Sequence, residues 1–269
     1  MNFTASDDEI AAAVAYEELH VPALFRQWAP VVVEAAQIRP HQRVLDVACG
    51  TGVLAREAAL HRGEDGFVAG IDISPGMLVL ANRQAPEIEW RVAPADSLPY
   101  EAESFDAVIS QFGLMFFPDR SASLREMMRV LAPGGRFALA VWASLEESEA
   151  YPVEVALLER LAGQRAADAL RAPFSLGNLE TLTGLFEDAG IPPAGVATRH
   201  GRARFPSIRT MVEADLRGWL PVMGVVLNEQ EIERILEEAE QDLGQYVTAE
   251  GTVEFDSPAH IITGRKPQR

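Results

Sequence analysis

The sequence predicts an α/β fold in which a mostly parallel sheet is covered by helices on both faces. Three observations predict it. Between residues 37 and 143, short apolar runs alternate with helix-like stretches, strand then helix, at short spacing. The strand runs read as buried, which suits a parallel sheet packed on both sides. The first of them, "VLDVACGTG" (44–52), breaks into a tight pair of glycines that opens directly into a helix.

Residues 8–36 read as helix, divided by Pro22 and Pro30, since proline removes a helical N–H and crowds the preceding turn. Its apolar positions include Tyr16, Leu19, Leu24, Phe25 and Trp28. "RVLDVACG" is the first strand, ending at Gly50, and "TGVLAREAALHR" the helix after it. "GFVAGIDIS" is the second strand, and "PGMLVLANRQA" a helix opened by a proline near its first turn. "IEWRVA" is the third strand, and a fourth is centred on Asp106–Ser110. "RSASLREMMRVLAPGG" is a helix stopped by Pro-Gly-Gly, and "RFALAVWA" is the fifth strand. After Trp142 the rhythm changes. "SEAYPVEVALLERLAG" and the segment to Ala172 read as inserted helices, and "NLETLTGLFEDAG" as a helix with a glycine stop. A sixth strand is expected near Val196–Phe205, mostly helical sequence over 208–247, and a terminal strand at "AHIITGRKP". The expected organisation is an N-terminal helical cap (1–36), a core (37–143), a helical insertion (144–177), a return to the core (178–205), a second helical insertion (206–250) and a terminal core strand (251–269). That makes a seven-stranded sheet with helical, lid-like additions.

With 269 residues, the chain suits one large domain or one domain with an elaborated second part. Apolar residues make up 48% of it, enough for a substantial core. The net charge of −17 argues against a phosphate-backbone grip, which needs clustered Lys and Arg. No apolar run approaches a membrane span, and the N-terminus has neither the basic nor the apolar region of a signal peptide. Cys49 is the single cysteine, so no internal disulfide or cysteine-based zinc site can form. The expectation is a cytoplasmic protein with a small-molecule substrate, binding neither nucleic acid nor membrane. No pair of histidines has metal-ligand spacing, so no metal is expected.

Gly50-x-Gly52-x-x-Ala55 matches the loose dinucleotide fingerprint, in which a turn after a strand aims backbone N–H groups and a helix N-terminus at a ligand. On its own it fits a plain tight turn as well. Asp72 strengthens the ligand reading. It ends the second strand, where a carboxylate can accept from both ribose hydroxyls of an adenosine. Its other role would be a helix cap, which Ser74 fills at least as well. Asp46 lies inside the first strand, and a buried acid needs a partner. A ligand with a positive amino group would supply one and a pyrophosphate would be repelled, whereas backbone N–H groups of its own loop would also satisfy it.

The motifs "VLDVACGTG", "GIDISPGML", "LPYEAESFDAVISQFGLMFFPD" and "REMMRVLAPGGRFALAVW" occupy residues 44–142 in order. In these the chain resembles the class I S-adenosylmethionine-dependent methyltransferases, a Rossmann-like group that includes the ubiquinone and menaquinone C-methyltransferases. The segment "YEELHVPALFRQW" resembles the N-terminal helices of its small-molecule members. The resemblance implies that S-adenosyl-L-methionine is the cofactor. It implies that Gly50 and Gly52, with Ala48 in the same loop, lie against the methionine and ribose, and that Asp46 helps hold the methionine amino group. Asp72 would take the ribose hydroxyls, with Ile73 on one adenine face and Met77 near the same ring. Gln111 would face the methionine end. One departure stands out: relatives read G-D-A where this chain reads "VAPADSLPY", so Pro94 replaces the acid that bonds the adenine amino group. Ala95 can still offer its N–H to the ring, and Asp96 lies close enough to recover the amino contact after a local shift.

Methyl transfer from a sulfonium is an in-line displacement, so the protein mainly aligns the reactants and excludes water. No catalytic residue is demanded. The candidate acceptor pocket is Tyr16 and Phe25 from the N-terminal helix with Phe112 and Trp142 from the strand ends. His20 reads as a helix-surface residue close enough to the cap to serve as a base, and His260 as structural. Two other readings stay open. One is an NAD(P)-dependent oxidoreductase, although no Tyr-x-x-x-Lys pair is present and Lys266 is the sole lysine. The other is a non-catalytic relative that binds an adenosyl ligand or a protein.

Overall fold

The structure is a computed structural model of the chain and describes residues 3–191 and 195–268. Residues 1–2, 192–194 and 269, which belong to the expected cap, core return and terminal strand, lie outside the described residues. Among the described residues nine strands form two sheets: β1 Arg43–Val47, β2 Phe67–Asp72, β3 Glu89–Val92, β4 Phe105–Gln111, β5 Leu131–Trp142, β6 Gly195–Arg199, β7 Arg202–Phe205, β8 Val253–Asp256 and β9 Ala259–Arg265. The large sheet has seven strands in the order β3-β2-β1-β4-β5-β9-β6. β1 to β5 run parallel to one another, and β9 runs antiparallel between β5 and β6. The expected sheet is therefore present. The chain winds outward from β1 to β3, then crosses back to place β4 on the other side of β1. That reversal opens a crevice at the carboxyl ends of β1 and β4, the place where such sheets bind ligands.

Helices cover both faces. α1 Asp7–Ala15, a π-helical segment Tyr16–Phe25 and α2 Trp28–Ala36 precede the sheet, and α3 Val53–His61, α4 Pro75–Gln84 and α5 Arg120–Val130 connect its parallel strands. Val44, Leu45, Asp46 and Val47 are all buried, as a central strand packed on two sides requires. α6 Tyr151–Ala162, α7 Gln164–Arg171 and α8 Leu179–Asp188 follow β5. α9 Ile208–Ala214, a second π-helical segment Asp215–Trp219, α10 Leu220–Val222 and α11 Glu229–Asp242 lie between β7 and β8. α11 packs on α6 and α9, which joins the two helical additions. No helix among the described residues is long and apolar enough to cross a membrane.

Three elements differ from expectation. The first break in the N-terminal helix falls at Tyr16, where the helix widens from α to π, and Pro22 sits inside the widened segment. Pro30 lies in the first turn of α2, where its missing N–H leaves no bond unmade. The helix expected to stop at Pro-Gly-Gly ends at Val130. Leu131 already pairs with Phe105 in β5, and the ladder shifts register before Ala107. The strand expected near Val196–Phe205 is two strands. It breaks at His200–Gly201, where a Cβ on Gly201 would lie 2.4 Å from the Trp28 ring. Beyond the break β7 pairs with β8 in a separate two-stranded sheet. β6–β7 and β8–β9 thus run as one antiparallel arm, kinked where Ser257 N–H donates to the Gly201 carbonyl. His260 is structural as expected: it is buried, with its ring nitrogens 2.9 Å from Thr198 Oγ1 and 2.8 Å from the Gly177 carbonyl.

Candidate active site

β1 delivers Asp46 to the reversal point of the sheet. The residue is 1% exposed, and neither carboxylate oxygen has a hydrogen-bond partner. Burial holds its carboxyl well above the usual carboxylate range. The Ala55 N–H, outside hydrogen-bond geometry, offsets part of this, and nearby Asp72 adds to it. An acid in this state favours a cationic or hydrogen-donating partner.

The turn after β1 is built from unusual backbone. Ala48 has φ +59°, Gly50 +54° and Gly52 +86°. Across the crevice, Phe112 follows β4 with φ +56°. Non-glycine residues in the left-handed region are strained and tend to gather at ligand sites. The two glycines differ in their surroundings. A Cβ at Gly50 would meet only Tyr16 Cε1, at 3.9 Å, so its space opens toward the crevice. A Cβ at Gly52 would lie 2.5 Å from the buried Trp90 indole. Packing and conformation therefore require Gly52, whereas Gly50 leaves room for a close approach.

Asp72 ends β2 and ties the turn down. Its Oδ2 accepts from Gly50 N–H at 2.8 Å and its Oδ1 from Ser74 N–H at 2.9 Å. Burial still pushes its carboxyl up, offset by the N–H groups of Ser74, Gly50 and Ile73. Ser74 caps α4 by accepting from Met77 N–H, so Asp72 is free of that duty. Ile73 is 72% exposed, an apolar face without cover, and Met77 stands half-buried in the first turn of α4. In the loop after β3, Ala95 is buried while Pro94 and Asp96 are exposed. Gln111 ends β4 and donates from Nε2 to the Phe25 carbonyl at 3.0 Å. Its Oε1 is buried without a partner.

The four expected pocket aromatics form one cluster. Phe112 and Trp142 stack with centroids 3.8 Å apart, Phe25 tilts against both, and Tyr16 stacks on Phe25 at 5.3 Å. Trp28 closes the cluster edge-on to Phe112 and Trp142. Burial pushes the Tyr16 phenol up, and the Asp72, Glu17 and Asp46 carboxylates add to the shift.

Sequence reasoning missed the fastening of this cap. Glu17 accepts from Thr51 Oγ1 at 2.5 Å and from Arg56 Nη2 at 3.0 Å, clamping the π-helical segment onto the glycine turn. Gln27 bonds both the N–H and the carbonyl of Arg202, fixing the cap to the antiparallel arm. His20 was expected on a helix surface, but its side chain is 13% exposed and faces Asp215. The only signal for it is an i, i+4 relation to Tyr16.

Residues 45–139 match a family described as a methyltransferase domain. The ubiquinone/menaquinone biosynthesis C-methyltransferase of Geotalea daltonii is 38% identical over 120 residues, covering 42% of this chain and 51% of the relative. The demethylmenaquinone methyltransferase of Renibacterium salmoninarum is 42% identical over 115 residues, covering 43% and 47%. The chain thus spans about half the length of the curated relatives it matches. A solved structure of phosphoethanolamine N-methyltransferase 2 from Haemonchus contortus, with phosphomonomethylethanolamine and S-adenosylhomocysteine, has a TM-score of 0.61 at 18% identity. It covers 96% of this chain and 58% of that one, and the likeness is one of fold.

Proposed function

We propose that this chain, its residues 45–139 a class I methyltransferase domain related to the ubiquinone and menaquinone methyltransferases, moves a methyl group from S-adenosyl-L-methionine to a small organic molecule. One observation carries the reading: Asp46, buried at the reversal point of the sheet with no hydrogen bond to either oxygen and only the Ala55 N–H nearby, favours a positive or donating group from a ligand. The methionine amino group is such a group. Gly50 and Ala48 let the backbone approach the ligand, Gly52 shapes the same turn, and Asp72 retains lone pairs for ribose hydroxyls. Ile73 and Met77 offer apolar surface to an adenine, Ala95 and Asp96 stand at its edge, and Gln111 Oε1 is a free acceptor at the methionine end.

When bound, the cofactor supplies a methyl group already activated by the sulfonium charge. The work left to the chain is orientation and exclusion of water. Tyr16, Phe25, Phe112 and Trp142 form an apolar roof, and the Glu17 clamp holds that roof against the turn. Residues 37–143 act as the cofactor half, and the helical additions as the acceptor half. The acid excess supports a small acceptor over nucleic acid, and the single cysteine supports a cytoplasmic location.

Calorimetry with S-adenosylhomocysteine tests the cofactor, followed by methyl transfer to a panel of small organic acceptors. Micromolar binding that is lost in Asp72→Ala is expected. Wild-type protein that does not bind S-adenosylhomocysteine would end the proposal.

A further inference from the structure

Glu154 of α6 and Asp215 of the second π-helical segment are far apart in sequence and both buried, and His20 of the first π-helical segment faces Asp215. Glu154 is 0% exposed and neither of its oxygens has a hydrogen-bond partner. Asp215 is buried, with Oδ2 unpaired and Oδ1 3.6 Å from His20 Nε2. His20 Nδ1 is buried and unpaired. Burial, then the neighbouring Asp215, holds the Glu154 carboxyl well above its usual range. The same two acids act on Tyr151, whose phenol is pushed up first by burial, then by Asp215 and Glu154. Arg160 of α6 is committed to Glu238 and Asp242, and Arg217 to Glu213 and Glu229. Two carboxyl groups are thus withdrawn from water with only the His20 imidazole beside them, an arrangement that disfavours their charged forms unless a counter-charge is supplied.

The cluster adjoins the cofactor turn. His20 stacks on Tyr16 at 5.7 Å, and Tyr16 lies against Gly50. Trp219, four residues beyond Asp215, packs on the part-exposed Phe116 at 5.0 Å. Among the described residues no group of three His, Cys, Asp or Glu side chains is placed to hold a metal ion.

We propose that Glu154 and Asp215, with His20, bind the basic nitrogen of the methyl acceptor, which makes the acceptor a small organic amine held as its cation. The inference rests on the methyltransferase reading of the neighbouring crevice. Two carboxylates grip an ammonium through charge-assisted hydrogen bonds.

The test is thermal unfolding of the full chain saturated with S-adenosylhomocysteine. The probes are 2-phenylethylammonium and butylammonium chlorides, against 2-phenylethanol and butanol at matched ionic strength. The ammonium ions should raise Tm saturably by several degrees and the alcohols should not. Glu154→Gln and Asp215→Asn should abolish the shift while S-adenosylhomocysteine binding stays within about twofold. Glu154→Gln alone should leave Tm equal or higher, because it removes an uncompensated buried acid. Equal effects of amines and alcohols, or an ammonium shift that survives in both variants, would overturn the inference. So would a Glu154→Gln protein that unfolds or melts lower, since the acids would then hold the fold together. Loss of S-adenosylhomocysteine binding by the wild type would instead strike the cofactor reading, and the ammonium shift can be read without it.

Discussion

Gly50 and Gly52 share one turn, yet each is glycine for its own reason, and substitution separates them. At Gly50 alanine meets only an ordinary contact with Tyr16 and bears the left-handed backbone, about 1–2 kcal/mol. Gly50→Ala should therefore fold and melt close to wild type but bind S-adenosylhomocysteine at least tenfold more weakly, as calorimetry would show. Gly52→Ala adds a clash with Trp90 and should lose about 2–4 kcal/mol in urea unfolding. Asp46 makes a pH prediction. Its folded-state pKa lies above the unfolded value, so the folded state binds the extra proton. Stability then falls as pH rises from about 4 through the folded pKa. Asp46→Asn should flatten that fall and raise the Tm of the cofactor-free protein at pH 8, while weakening cofactor binding. Asp46 was legible because an acid inside an apolar strand is conspicuous, and Asp72 because it ends the next strand. His20 was not, because its burial depends on Asp215, which no local pattern links to it.

The N-terminal cap is held by side chains rather than by sheet pairing. Glu17 clamps Thr51 and Arg56, Gln111 holds the Phe25 carbonyl, and Gln27 grips Arg202. α1 also rests on α4 so closely that a Cβ at Gly76 would lie 2.6 Å from the Glu9 carbonyl oxygen. A cover fastened this way can lift without unfolding the sheet. Glu17→Ala should increase proteolysis within residues 16–27 and speed S-adenosylhomocysteine release several-fold. Its effect on global unfolding should be about 1 kcal/mol or less. Here the sequence showed a divided helix but not its form. A π turn differs from an α turn by a fraction of a residue, and the same apolar spacing accommodates either. The split between β6 and β7 was hidden because both halves look like strand, and only the approach of Gly201 to Trp28 breaks them.

Across the molecule, acids outnumber bases enough to give −17, and the arginine–carboxylate pairs neutralise only part of the surface. Raising NaCl from about 50 to 500 mM shortens the screening length several-fold and should raise Tm by a few degrees. A fall would mean that surface ion pairs outweigh the repulsion. The sheet was legible at this scale because alternation of strand and helix prescribes parallel pairing. The packing of α11 on α6 and α9 was not, since amphipathic helices announce that they dock but not where. One consequence lies in the antiparallel arm. Arg199 and Ala259 are cross-strand partners, and residues 200–258 join them. In topological terms that whole stretch is the turn of a β-hairpin, a connection that two residues can make. A segment whose ends meet on one rung can be traded for another with the ladder left standing. Exchange of this cartridge between chains would replace Asp215 and the helices around it while β6 and β9 stay in register.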